Sequence, residues 1–308
     1  VGTTPRGLFR RRRHGRRMHV GHHGSAAALR GFVELTRPGN VVAAGALTFT
    51  GSFVASGVGV AAGPVVAAVA ATVLATAAGN AVNDYFDRDV DRVNRPDRPI
   101  PRGAVTARAG GVFSGLLFLG AVAAAAALPI VAVAIAVANL LALVAYTALF
   151  KGLPGVGNVV VAYLTGSTFL FGAAAVGEVT NAAVVVLFAL AALATLSREI
   201  IKDVEDVTGD RAEGLRTLPI VVGESTALRV GAAVLAVAVA ASATPYLMGT
   251  FGVVYVAVVL PADVVMVDAI RRSFADPGTA QRRLKAGMFL AAIGFIVGRA
   301  VEVTGGVP

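Results

Sequence analysis

Residues 112–150 read VFSGLLFLGAVAAAAALPIVAVAIAVANLLALVAYTALF, without one charged side chain. Leu128-Pro129 interrupts the stretch and leaves an apolar run on either side. Each run is close to the ~20 residues that cross a bilayer as a helix. Neither shows the strict alternation of a barrel strand. In lipid every backbone N–H and C=O must be satisfied within the fold, so a helical bundle is the solution left. The rest of the chain has the same character. It is 308 residues long and 56% hydrophobic, with mean hydropathy +0.76 and only 15% charged residues. A soluble domain carries about 25% charged residues.

Nine apolar segments follow from this pattern, at about 38–61, 64–83, 105–127, 130–150, 157–177, 180–200, 225–247, 250–271 and 285–303. Gly63-Pro64, Leu128-Pro129 and Gly249 mark tight connections. The expected fold is all-α, a polytopic bundle of nine transmembrane helices with a cap on the cytosolic side. Residues 33–308 form that domain. Residues 1–32 read as a disordered cytosolic tail, basic through Arg10, Arg11, Arg12, Arg13, Arg16 and Arg17. The tail suits anionic headgroups better than nucleic acid, and it lacks the apolar core of a signal peptide. Met18 is an alternative start.

With nine crossings, 26 of the 27 Lys and Arg residues fall on one side and Arg299 alone on the other. The positive-inside rule makes the crowded side cytosolic and the C-terminus external. Most carboxylates gather on the same side, in two clusters about 120 residues apart, which hints at an internal duplication. Cysteine is absent and all four histidines lie in the tail. Thiolate chemistry, iron–sulfur ligation and a Ser–His–Asp triad are thereby excluded from the bundle.

The first cluster contains Asn83, Asp84, Asp87 and Asp91; at about 100° per residue, Asn83, Asp87 and Asp91 share one helical face. The second contains Glu199, Asp203, Asp206 and Asp210 at spacings of four, three and four, with Gly209 as a potential helix end. Rows of oxygen ligands at a membrane surface suit Mg²⁺, which completes its shell with water and substrate phosphate. Two facing rows would repel severely without cations. Between them lies Arg92-Val-Asn94-Arg95-Pro96-Asp97-Arg98-Pro99-Ile100-Pro101-Arg102-Gly103, a stiff, non-helical, basic segment. Arg95, Arg98, Arg102 and the isolated Lys151 are candidates to grip phosphate. Each also fits plain headgroup contact. Asp263 beside Pro261 is an ionisable group at membrane depth, either in a cavity or internally paired.

Asn83-Asp84-x-x-Asp87-x-x-x-Asp91 followed by Arg95-Pro-x-Arg98-Pro-Ile-Pro-x-Gly103 resembles the first signature of the UbiA prenyltransferase family. Asp206-x-x-x-Asp210 followed by Gly214-Leu-Arg-Thr-Leu-Pro219 resembles the second, and Thr36-Arg37-Pro38-Gly39-Asn40 resembles the family's start. The likeness covers about residues 33–303. It implies a UbiA-like bundle whose two motifs bind Mg²⁺ and a prenyl diphosphate. Carried over residue by residue, it makes Asn83, Asp84, Asp87, Asp91, Asp206 and Asp210 metal-site residues. Asp87, Asp91, Asp206 and Asp210 are the catalytic carboxylates, and Asp203 is an additional acidic position.

The segment Arg198–Arg211 is most similar to the archaeal ether-lipid branch of that family. That branch implies transfer of a geranylgeranyl group from geranylgeranyl diphosphate to geranylgeranylglyceryl phosphate. Arg37, Arg98, Arg102, Lys151 and Lys202 are candidates for the acceptor phosphate. Asn40 belongs with the substrate-binding set, and Tyr163 either lines the cavity or anchors the interface. Competing readings are an aromatic acceptor of the quinone or haem pathways, and a divalent-cation transporter. The transporter reading fits poorly, because polar groups do not thread the whole membrane.

Overall fold

The computed structural model describes residues 23–59, 61–150 and 152–305. The described residues are helical and contain no strand. A first helix, α1 (His23–Thr36), is followed by α2 (Pro38–Ser56), α3 (Ala62–Phe86) and the short α4 (Arg88–Asn94). Then come α5 (Ala107–Ala126), α6 (Ile130–Ala145), α7 (Val156–Ala175) and α8 (Ala182–Ala212). The remainder is α9 (Leu218–Val222), α10 (Glu224–Ala241), α11 (Thr244–Leu247), α12 (Val253–Ser273) and α13 (Pro277–Val303).

Among the described residues seven helices are long and apolar enough to cross a membrane: α3, α5, α7, α8, α10 with its extension through α11, α12 and α13. Two of the nine expected crossings fall short by this measure. The helix α2 has 19 residues but is diluted by glycine, serine and threonine. The helix α6 has 16 and continues as a π turn over Tyr146–Phe150. The tail boundary also moves. Helix α1 begins ten residues before residue 33, and its Leu35 is wholly buried with Ala81, Ile100 and Val105. Met18, Lys151 and residues 1–22 lie outside the described residues.

Small side chains set the packing. In lipid there is no hydrophobic drive between helices, so close backbone approach supplies the attraction. Helices α2 and α7 cross where a Cβ on Gly172 would stand 2.1 Å from the Thr48 carbonyl oxygen, and one on Gly51 would stand 2.2 Å from the Phe169 carbonyl oxygen. Ser52 Oγ donates to the Gly172 carbonyl at 2.8 Å across that crossing.

The hydrogen bonds fix which helix ends lie together. Thr48 pairs with Thr72 at 2.8 Å and Arg37 with Asp84 at 2.5 Å, so α3 runs antiparallel to α2 and ends beside the start of α2. At the other end of α2, the Ala55 carbonyl accepts from Asn181 at 3.2 Å and Arg299 at 3.4 Å. Asn181 caps the start of α8 and Arg299 lies near the end of α13. Helix α8 therefore runs away from that end and finishes at the end where α3 finishes. Asn158, in the first turn of α7, donates to Asp203 near the end of α8 at 2.8 Å. Both acidic clusters thus stand on one end of the bundle.

Candidate functional site

The first cluster is not on one unbroken helix. Helix α3 ends at Phe86, Asp87 adopts φ −80° and ψ 1°, and α4 resumes at Arg88. The hydrogen bonds Asp87 N–Asn83 O and Asp91 N–Asp87 O, both 2.8 Å, carry the spacing of four across the joint. Asn83, Asp87 and Asp91 therefore keep a near-helical register.

Asp84 and Asp91 are buried and held by arginine. Asp84 Oδ1 accepts from Arg37 Nη2 at 2.5 Å and from Arg98 Nη1 at 3.2 Å, and Asp91 Oδ2 accepts from Arg98 Nη1 at 2.5 Å. Side-chain exposures are 4% for Asp84, 7% for Asp91 and 16% for Arg98. Arg37 is the only non-glycine residue with positive φ among those described, at 51°. That strained backbone sits directly before α2, and the Asp84 contact holds its side chain over the end of α3. The Pro-rich segment folds back through Arg98, with Ile100 and Val105 buried against α1 and α3. Arg102 continues the clamp, donating to Glu34 Oε2 at 2.5 Å and to the Asp97 carbonyl at 2.7 Å. The Arg102 hydrogen bond, helped by Arg30, holds the Glu34 carboxyl below its usual range against a smaller effect of burial. Arg95 is exposed.

The second cluster lies on the overhang of α8. This helix has 31 residues, or about 46 Å at 1.5 Å per residue, against a hydrocarbon core of about 30 Å. Gly209 does not end it; it continues through Ala212. Ile200, Ile201, Val204 and Val207 bury one face, while Asp203, Asp206 and Asp210 follow the other. Asp203 accepts from Asn158, and Asp210 accepts from Thr217 Oγ1 at 3.1 Å. Lys202 stands 3.7 Å from Asp206 and 4.0 Å from Glu199. Asp206 is 52% exposed, open to incoming groups. The two clusters share the spacing of three then four: Asp84, Asp87, Asp91 and Asp203, Asp206, Asp210.

No group of three or more carboxylates among the described residues converges as a ready-made cation cage. The donors are carboxylate and amide oxygens offered singly along two helix ends. That set fits Mg²⁺, which favours one or two carboxylates plus water and phosphate oxygens. It does not fit a soft metal, since no thiolate is present in the chain.

Two apolar cavities reach inward from this end. The first, about 480 Å³, is bounded by α2, α7, α8, α10, α12 and α13. Asn40, Arg198, Glu199 and Lys285 supply its polar rim; Phe169, Tyr255 and Phe295 close its far part. The second, about 420 Å³, lies between α3, α5, α6 and α7, with Asn80 and Asn83 on its wall and no Lys or Arg. Thr76, Leu164 and Thr168 line both. Tyr163 is half-buried and lines neither. Asp263 combines both of its expected roles: it lines the first cavity and accepts from Ser242 at 2.7 Å. Asp268 is 40% exposed and paired with Arg272 and Arg283.

Sequence reasoning passed over Arg198, Lys285 and Asn158. Asn158 carried a usable signal, an amide in an apolar helix, where polar groups pair or serve function. Arg198 and Lys285 lie far apart in the chain, and only tertiary packing puts them on one cavity.

Residues 44–293 match the sequence profile of the UbiA prenyltransferase family. The chain is 61% identical over 277 residues to the digeranylgeranylglyceryl phosphate synthase of Haloquadratum walsbyi, covering 90% of this chain and 97% of that protein. It is 62% identical over 275 residues to the synthase of the same name from Natronomonas pharaonis, covering 89% and 99%. A solved structure of digeranylgeranylglyceryl phosphate synthase superposes with a TM-score of 0.76 at 31% identity, covering 89% of this chain and 99% of the other. A UbiA homologue from Archaeoglobus fulgidus, solved with GPP and Mg²⁺, shares the fold at a TM-score of 0.64 and 18% identity, covering 88% and 100%.

Proposed function

The chain belongs to the UbiA prenyltransferase family, and from that membership we propose that it is a Mg²⁺-dependent membrane prenyltransferase of archaeal ether-lipid synthesis. It transfers a geranylgeranyl group from geranylgeranyl diphosphate to geranylgeranylglyceryl phosphate and forms the second ether bond. The observation that supports this reading is that both carboxylate-bearing helix ends stand at the same end of the bundle, above apolar cavities.

Asn83, Asp87, Asp203, Asp206 and Asp210 would hold Mg²⁺, with Asp84 and Asp91 behind them as the carboxylates that fix Arg37 and Arg98. When bound, Mg²⁺ supplies Lewis-acid neutralisation of the diphosphate. Arg37, Arg95, Arg98, Arg102, Lys151 and Lys202 form the cationic surround that the diphosphate enters. As the C1–O bond breaks, its electron pair leaves with the diphosphate and the allylic chain delocalises the positive charge. The acceptor hydroxyl oxygen bonds to C1 and its proton passes to an oxygen of the departing diphosphate. The apolar walls keep water from competing.

The protein is a multi-pass membrane protein. In the full proposal the apolar helices, with α2 and α6, make nine crossings. Residues 1–32 and the acidic end are cytosolic, residues 95–106 cap the mouth, and the C-terminus is external. The test offers purified protein geranylgeranyl diphosphate with a panel of acceptors and measures product mass. The expected product is the two-chain glycerol phosphate ether. Transfer only to an aromatic acid would move the protein to another branch of the family, and metal flux without transfer would make it a transporter.

A further inference from the structure

The donor diphosphate has the carboxylate rows; the acceptor's phosphate has no partner in that scheme. We propose that Arg198 and Lys285, at the rim of the first cavity, grip the monophosphate of the acceptor lipid while its chain lies in that cavity. This rests on the function proposed above and names the acceptor subsite.

Four observations support it. First, Arg198 on α8 and Lys285 on α13 line the same apolar cavity from facing helices. Second, they are close in level. Arg198 Nη2 donates to Gln281 Oε1 at 2.9 Å, and Lys285 lies four residues, one helical turn, further along α13. Third, the pair is underneutralised. Arg198 contacts Glu199, but its Nε is buried without a partner, and Lys285 makes no ion pair with a described carboxylate. The Lys285 ammonium stands instead 6.0 Å from the centroid of Phe289, another residue of that cavity. Fourth, the second cavity has only Asn80 and Asn83 as polar wall near the acidic end, so of these two cavities the first alone offers an anionic head a cationic rim.

The position suits the chemistry. Asp203 lies five positions beyond Arg198 on α8, so the Arg198 backbone lies about 7.5 Å inward of Asp203. A phosphate there leaves a neighbouring hydroxyl directed toward the carboxylate rows. The attached chain continues inward past Thr165, Thr168 and Phe169. The Lys285 ammonium, without a described carboxylate partner, and the Arg198 guanidinium, paired with Glu199 through Nη1 but with Nε unpartnered, bind phosphate oxygens by charge-assisted hydrogen bonds.

The experiment uses the full chain in lipid nanodiscs without donor. It compares equilibrium binding of a C20 isoprenyl-glycerol phosphate with that of the same isoprenyl-glycerol lacking phosphate. Wild type is expected to prefer the phosphate form by about tenfold or more, the scale of one good charge-assisted contact. Lys285→Met, an exposed position that folding tolerates, and Arg198→Met should each lose most of that preference; Arg198→Lys should keep part of it. In steady-state assays both Met variants should raise KM for the acceptor and leave KM for the donor within about twofold. An unchanged phosphate preference in Lys285→Met would mark it as an interfacial lysine only and overturn the assignment. So would a rise in donor KM with acceptor KM unchanged. If wild type binds the phosphate form but transfers nothing to it, the functional reading falls and takes the subsite with it. If wild type transfers but both variants bind as wild type does, the subsite alone falls.

Discussion

Gly172→Ala probes the contact on which the site's geometry depends. The added Cβ would stand 2.1 Å from the Thr48 carbonyl oxygen and 2.9 Å from the Ser52 backbone nitrogen. A carbon normally keeps at least about 3.3 Å from a carbonyl oxygen. Helices α2 and α7 must therefore separate locally by about 1 Å, since both obstacles are backbone. Overpacking of this kind costs about 1–3 kcal/mol, and the Ser52–Gly172 hydrogen bond, worth about 1 kcal/mol, stretches or breaks. The expected loss is thus about 2–4 kcal/mol. Activity should fall with it, because α2 carries Asn40 and α7 carries Asn158, the partner of Asp203. Gly63→Ala is the control: its Cβ would meet nothing within 4 Å, and alanine favours a helix by about 0.5–1 kcal/mol. The assay heats each variant in detergent and measures the soluble monodisperse fraction, then transfer activity. Equal thermal midpoints for Gly172→Ala and Gly63→Ala would refute the close crossing of α2 and α7.

Asp87→Ala and Asp206→Ala should each lower kcat by about 100-fold or more with the fold retained, checked by turnover and by gel-filtration profile. Arg98→Ala strips Asp91 of its arginine while Arg37 still holds Asp84, so the expected destabilisation is about 3 kcal/mol, read by thermal denaturation. A chelator should abolish transfer and added Mg²⁺ should restore it, whereas added K⁺ should not; product formation is the readout. Because Glu34 titrates below its ordinary value of 4.5, its pairing with Arg102 adds stability that is fully present above that value. That contribution is lost as pH falls through the lowered one. Protease sensitivity of residues 95–106 should therefore rise only in acid, and Glu34→Gln should remove the pH step.

Much of the bundle was legible because apolar runs bounded by Gly and Pro report helices directly. The two acidic rows were legible because their carboxylates recur at helical spacing. What escaped has identifiable physical causes. Gly209 reads as a helix stop, since glycine costs about 1 kcal/mol in a helix, but buried Val204 and Val207 hold that part of α8 against the core. Residues 23–32 were masked by the neighbouring basic run, although Gly31 and Leu35 pack closely on Val105 and its surroundings. The capture of Asp84 and Asp91 by Arg37 and Arg98 depends on a loop folding back through space, which no local pattern encodes. The convergence of Arg198 and Lys285 joins positions far apart in the chain.

Helix α8 is one rod whose inner turns wall a cavity and whose outer turns carry carboxylates. Because the helix is unbroken between them, a shift of its inner turns is carried rigidly to the outer ones, so packing around the cavity also sets where Asp203, Asp206 and Asp210 stand.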